Sequence, residues 1–275
     1  MEFNKSAIKY IIVTRFNLYK ESYWSGAGID DRSYLDWCRH RVSLFDNVAL
    51  PSVNAQTFSD FEWMILFDTE MNEVIEPFIH RVGAIPFVRP VFMNLRGARK
   101  NSMRRQLSEA AISTLEPKHT HLSMTRMDSD DALHLQFMRM LRRKVRSIVR
   151  EDHGLDGKEV VRITFPYCAL YDGRQVLVCV LPRNHFPTTL EKVDPDRPPR
   201  TTFFTKHSAQ YAHDVHVMTT LPATLTLVHG WNVWNSEHES ALALQNPGPV
   251  LESFGLPASG VHITKEKYAD SIKSL

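Results

Sequence analysis

Thr-His-Leu-Ser-Met-Thr-Arg-Met-Asp-Ser-Asp-Asp-Ala-Leu, residues 120–133, runs a strand-like segment into three carboxylates within four positions, Asp128, Asp130 and Asp131. A helical pattern opens immediately behind them at Ala132. Three like charges this close repel, so solvent, a helix N-terminus or a cation must neutralise them. Three readings stay open on the residues alone. Asp130 or Asp131 caps the next helix, the run is a solvated acidic turn, or the cluster holds a metal ion. An EF-hand loop is excluded: counting Asp128 as its first position puts Leu133 where the sharp-turn glycine belongs and Arg139 where the bidentate glutamate belongs.

An Asp-x-Asp at the carboxyl end of a buried strand sits where open α/β sheets bind ligands. A hard divalent ion held by one or two carboxylates completes its shell with water and substrate phosphate oxygens, which suits a diphosphate leaving group. The run Thr125 to Leu133 resembles the Asp-x-Asp region of nucleotide-sugar glycosyltransferases of the GT-A fold. It is most similar to that of a bacterial family provisionally named rhamnosyltransferases. Val13-Thr14-Arg15-Phe16-Asn17, Leu44-Phe45 with Leu50 to Thr57 and Asp60 to Trp63, and Val228-His229-Gly230-Trp231-Asn232 match that family too, in its order.

Composition sets bounds on the rest. At 275 residues, one α/β domain with elaborations is the first expectation. With 43% hydrophobic and 23% charged residues the chain is ordinary for a globular protein, and a formal charge of +2 leaves no global nucleic-acid footprint. No basic segment leading into an apolar run marks the N-terminus, and no stretch nears the roughly 18 apolar residues of a membrane span, so a cytoplasmic location is expected. The three cysteines lack metal-type spacing, and free thiols are expected. Asp172-Gly173 reads as a two-residue hairpin turn between Val160–Tyr167 and Gln175–Leu181, which sets Cys168 and Cys179 diagonally on one face.

Taken in order, Ile8 to Val13 is a first buried strand ending at Thr14, Arg15 and Phe16. Resemblance implies that these three border the nucleotide base or ribose. Residues 19–32, polar and glycine-bearing, form a candidate flap. From Ser33, apolar positions recur at helical spacing until Pro51, which should kink or end the helix. Phe61 to Phe67 forms a second strand ending in Asp68, either a nucleotide contact by resemblance or the N-cap of a following helix. Ala84 to Val91 adds an edge strand limited by its prolines. Arg96, Arg99, Lys100, Arg104 and Arg105 precede the next helix, and Arg99 and Arg105 are diphosphate candidates because the guanidinium fork binds two phosphate oxygens at once.

After the acidic cluster a long helix carries Leu133, Phe137, Leu141, Val145 and Ile148 on one face. Arg139, Arg142, Arg143, Arg146 and Arg150 lie on another, a solvated face or a contact with the inner, anionic surface of a membrane. Pro182 to Pro199 reads as an acceptor-side insertion. Resemblance implies His229 as a late metal ligand, and Trp231 and Trp234 offer faces for a sugar ring. Asn246 to Leu275 reads as an irregular tail.

The expectation is therefore an α/β chain with a GT-A, Rossmann-like mixed sheet flanked by helices and a C-terminal acceptor-side elaboration. Its single domain covers residues 1–245, the donor half about 1–131 and the acceptor half about 132–245, with the tail at 246–275. The implied function is metal-dependent transfer of a sugar from a dTDP, UDP or GDP donor to a glycan or lipid-linked hydroxyl in cell-surface polysaccharide synthesis. Asp128, Asp130, Asp131 and His229 would hold Mn2+ or Mg2+, Arg126 and Asp128 would join the donor contacts, and Glu191 or Asp214, with His213, would supply the general base. Nucleotidyl or phosphoester transfer, and a non-catalytic nucleotide-sugar binding module on the same fold, compete with this reading.

Overall fold

A computed structural model of the chain describes residues 7–18, 31–70, 73–95, 102–150, 160–203, 214–229 and 241–261. The architecture is mixed α/β, with two mixed sheets flanked by helices. The first apolar run is β1 (Ile8–Arg15), in which Ile11, Ile12 and Val13 are fully buried. Burial on both faces is what a continuous rather than alternating apolar run encodes.

The helical pattern that follows becomes α1 (Asp31–Leu44), and it does not stop at Pro51. A π-helical turn (Phe45–Ala49) intervenes, the Leu50 N–H donating to the Phe45 carbonyl, and α2 (Leu50–Asn54) carries on with Pro51 in its first turn. Next come β2 (Glu62–Asp68), α3 (Glu76–Gly83), β3 (Val88–Met93), α4 (Ser102–Ile112) and β4 (His121–Arg126). β3 holds Pro90 on the outer edge of its sheet, as the missing N–H requires.

Behind the acidic cluster the expected helix start is replaced by a short strand, β5 (Ala132–Leu133), and α5 (Phe137–Arg150) begins four residues further on. β5 forms because its backbone pairs with a strand from much later in the chain, a partner that local periodicity cannot announce. The remaining elements are β6 (Val161–Thr164), β7 (Tyr167–Tyr171), β8 (Val176–Val180), β9 (Thr188–Lys192), β10 (Asp214–His216), β11 (Thr224–Leu227), β12 (Leu242–Ala243) and α6 (Gly248–Glu252).

The larger sheet has the order β10-β6-β9-β4-β1-β2-β3, and β1 runs parallel to both β2 and β4. From β1 the chain therefore builds outward on one side to β3 and then returns to place β4 on the other. That reversal is a topological switch point, and ligands of open α/β sheets bind beyond the carboxyl ends of the strands there. The smaller sheet has the order β12-β8-β7-β11-β5, so β5 and β11 tie the acidic cluster to the late part of the chain.

The hairpin differs in register from the two-residue reading. Its loop spans residues 172–175, closed by the Asp172 carboxylate, which accepts from the backbone N–H groups of Arg174 and Gln175 at 2.9 Å each, with Gly173 at φ 86°. Tyr171 consequently pairs with Val176, and Cys168 lies directly opposite Cys179, their sulfurs 3.6 Å apart and unbonded.

On α5 the face formed by Phe137, Leu141, Val145 and Ile148 is buried as expected. Of the basic residues Arg139, Arg143 and Arg150 are exposed, as a solvated face requires, and the other two are partly covered. Arg142 stacks over the Phe58 ring at 4.7 Å and Arg146 is half-buried. No described helix is long and apolar enough to cross a membrane. Leu251, Phe254 and Leu256 are buried against the smaller sheet, so the segment from α6 to Val261 packs rather than trails. Of the candidate flap, residues 31–32 open α1, and residues 19–30, Arg96, Arg99, Lys100, His213, Trp231, Trp234 and residues 262–275 lie outside the described residues.

Candidate metal centre

β1 and β4 end side by side in Arg15 and Arg126. The ladder extends by one bond, the Met127 N–H donating to the Val13 carbonyl at 3.0 Å, and the chain then turns through Asp128 to Asp131 into β5. All three carboxylates are thereby held beyond the carboxyl ends of two parallel strands, at the switch point. Asp130 and Asp131 are 7% and 2% exposed, so water cannot supply their counter-charge.

The protein supplies it from distant segments. His185 Nε2 lies 2.8 Å from Asp131 Oδ2, and the Leu227 N–H donates to the other oxygen at 3.0 Å. His229 Nε2 lies 2.8 Å from Asp130 Oδ2, with Arg41 at 3.7 Å from Oδ1. Arg41 also donates to Ser129 Oγ at 2.5 Å and stacks over Trp37 at 4.7 Å, which fixes its position beneath the turn. Asp128 receives Arg126 at 3.1 Å and Arg15 at 3.4 Å. The ring of Phe203 sits 5.3 Å from the Arg15 guanidinium carbon and 5.4 Å from that of Arg126, steering both toward the carboxylate.

This environment spreads the proton affinities of the three acids. Burial alone would raise Asp128, but the guanidinium groups of Arg126 and Arg15 more than offset it and hold the carboxyl far below the usual range. Burial is likewise opposed at Asp130, where Arg41 and the His229 hydrogen bond leave the carboxyl lowered. At Asp131 burial wins and pushes the carboxyl up to about 6. Burial would lower its partner His185, but the carboxylates of Asp131 and Asp128 raise it instead. The Asp131–His185 pair thus keeps a proton to higher pH than either group would in water.

Ligand atoms of Asp128, Asp131 and His185 lie within 4.8 Å of one another, close enough to converge on one cation. Two carboxylates and an imidazole suit a divalent ion such as Mn2+ or Mg2+. Neither carboxylate of the Asp130–Asp131 pair caps a helix; both are spent on the histidines. His185 and Arg41 were not marked by the sequence. His185 stands alone in a proline-bounded polar loop, and Arg41 on a helix flank, so neither carries a local pattern.

The structure gathers Arg15, Arg126, the three aspartates and His229, and the other described candidates take the following places. Thr14 is fully buried and accepts from the Trp63 indole N–H at 2.9 Å, and Phe16 stacks on Phe78 at 4.6 Å within the aromatic core. Strand alternation turns both away from Arg15. Asp68 is buried, and its carboxylate accepts from the Glu70 N–H at 2.9 Å, closing a turn rather than capping α3, which starts at Glu76. Arg105 is an exposed partner of Glu109 at 3.8 Å on α4. Glu191 pairs in register with Leu122, at the opposite end of β4 from the cluster, where it accepts from the Arg200 N–H at 3.0 Å. Asp214 starts β10, three strands from β4 and so roughly 14 Å away at ladder spacing.

Among solved structures, a "putative nucleotide-diphospho-sugar transferase" from Desulfovibrio desulfuricans G20 aligns at 8% identity over 81% of each chain, with a TM-score of 0.35. A mannose-6-phosphate isomerase from Helicobacter pylori aligns at 12% identity over 67% of this chain and 70% of its own, with a TM-score of 0.25. Both scores are too low to define a shared fold. No curated protein matches the chain. Residues 13–158, more than half of the chain, match the family model described as "Putative rhamnosyl transferase", and the chain belongs to that glycosyltransferase family.

Proposed function

We propose that this glycosyltransferase is metal-dependent and takes its sugar from a nucleoside diphosphate donor, with the diphosphate seated at the switch point between β1 and β4. One observation carries the reading: Asp128, Asp131 and His185 bring ligand atoms within 4.8 Å of one another beyond the ends of two parallel strands. A divalent ion bound there would act as a Lewis acid on the departing diphosphate.

The chain's own residues do the rest. Asp130, tied to His229 and Arg41, fixes the turn that presents its two neighbours. Arg15 and Arg126 now rest on Asp128 at 3.4 and 3.1 Å, longer than a tight charge-assisted hydrogen bond. In this reading the two forks turn from Asp128 to phosphate oxygens when a diphosphate arrives, leaving Asp128 to the ion. The acceptor in this reading is a hydroxyl of a glycan or lipid-linked precursor, and a dTDP, UDP or GDP sugar is the donor.

A second reading is favoured by the arginines themselves. Arg15, Arg41 and Arg126 already match the three carboxylates in charge, so the guanidinium groups could hold the diphosphate without an ion. Assay of nucleotide release and sugar loss from the three donors, with manganese and with a chelator, separates the two. Turnover that needs manganese and is lost in Asp131→Asn supports the metal site; undiminished turnover in chelator assigns the diphosphate to the arginines.

A further inference from the structure

A groove separate from the acidic cluster runs between α5 and the segment that follows β10. Its cavity is about 450 Å³, within the range of small-molecule sites. Met140, Met218 and Leu221 give it an apolar lining, and Met218 and Leu221 are 63% and 49% exposed. Large apolar side chains gathered on a surface mark contact sites, and methionine adapts to irregular apolar ligands. Arg143 and Lys144 stand on the α5 wall, and neither meets a carboxylate among the described residues. Among the described residues no acidic side chain lines the cavity.

His134 completes it. The side chain is 7% exposed, and its Nδ1 accepts from the Gln136 N–H at 3.1 Å. The ring proton is therefore on Nε2, which has no partner among the described residues. Burial lowers the imidazole pKa, consistent with this neutral tautomer. The groove thus combines two cations, one spare N–H donor and an apolar wall.

We propose that this groove binds an amphiphilic phosphate, a phosphate monoester head on an alkyl chain, with Arg143, Lys144 and His134 holding the head and Met140, Met218 and Leu221 the chain. Two point charges and a donor are complementary to a phosphate dianion, whereas a neutral ligand would leave both cations unmatched. The site stands apart from the metal reading and needs neither donor nor ion.

Calorimetry on the full chain, without nucleotide or metal, tests it with dodecyl phosphate below its micelle concentration, inorganic phosphate and dodecanol as probes. Dodecyl phosphate is expected to bind at one saturable site, both half-ligands at least about tenfold more weakly, because each lacks one set of contacts. Arg143→Gln with Lys144→Gln should weaken dodecyl phosphate by about tenfold or more, while Arg139→Gln, on the same helix outside the cavity, should not. Arg139 and Arg143 are exposed and Lys144 is half-buried, so both sets of changes spare the core. Absence of saturable binding, an unchanged double variant, inorganic phosphate binding as tightly as dodecyl phosphate, or binding confined to phosphatidylglycerol vesicles would each overturn the proposal.

Discussion

Asp131 and His185 touch at 2.8 Å across 54 positions of sequence, and this contact brings a loop between two strands onto the turn that ends β4. It sets His185, rather than the later His229, in the ligand group with Asp128. His185→Ala should raise the manganese concentration for half-maximal activity by at least about tenfold, the scale on which loss of metal-site partners is felt. His229→Ala, which frees Asp130 without removing a member of that group, should shift the titration less. A manganese titration followed by electron paramagnetic resonance on both variants measures the order, and a larger shift for His229→Ala would reverse the assignment.

Asp130→Asn keeps the shape of the side chain and an oxygen toward His229, but its amide N–H groups cannot accept from the donor-only guanidinium of Arg41, so that contact is lost while the core is untouched. The turn loses the charge that Arg41 and His229 neutralise, and turnover should drop by about tenfold or more through misplacement of its neighbours. Turnover at the unsubstituted level, in a variant with unchanged melting temperature, would show that Asp130 does not position the site.

Protons compete with the ion at the Asp131–His185 pair. A bound cation requires an ionised carboxylate and a neutral imidazole, and both groups are shifted upward, Asp131 to about 6. Raising the pH from about 5 to 7.5 should therefore tighten manganese and release protons as it binds. Calorimetry in buffers of different ionisation enthalpy reads that release directly; heats independent of the buffer near pH 6 would contradict it.

Glu191 gives a pH effect on stability instead of catalysis. Burial pushes its carboxyl up from 4.5 to about 7. The folded state then binds the proton more tightly than the unfolded chain, so stability falls as pH rises from about 4.5 through about 7 and stays low above it. The loss amounts to a few kcal/mol, on the order of 1.4 per pK unit. Glu191→Gln keeps an acceptor for the Arg200 N–H and should melt higher than the unsubstituted protein at pH 8, the gap closing below about pH 4.5. Melting curves that stay parallel across this range would mean that Glu191 is ionised without cost.

The sequence made the strands around the site legible because β1 and β2 carry near-continuous apolar runs and β4 alternates Leu122 and Met124 with Ser123 and Thr125, and the acidic cluster because like charges in four positions demand a partner. Pairings between distant segments were out of reach. β9 carries Thr188, Thr189 and Glu191 in a polar pattern, and only its place between β6 and β4 makes it a central strand. That burial drew Glu191 away from the acceptor side. Thr14 and Phe16 flank Arg15, which lies against Asp128, but strand alternation sends them into the core. Arg41 has no signal of its own, since a helix arginine beside Trp37 becomes meaningful only when Asp130 is placed beside it.

Binding of thymidine, uridine and guanosine diphosphates with and without manganese, measured by calorimetry, examines the donor site most directly. An ion shared by Asp128, Asp131, His185 and the phosphates should tighten at least one nucleotide, and the nucleotide should tighten the ion by the same factor. Arg15→Gln and Arg126→Gln should weaken that nucleotide with the ion still bound. Equal affinity for all three nucleotides with and without manganese would contradict a metal-bridged donor site at the end of β4.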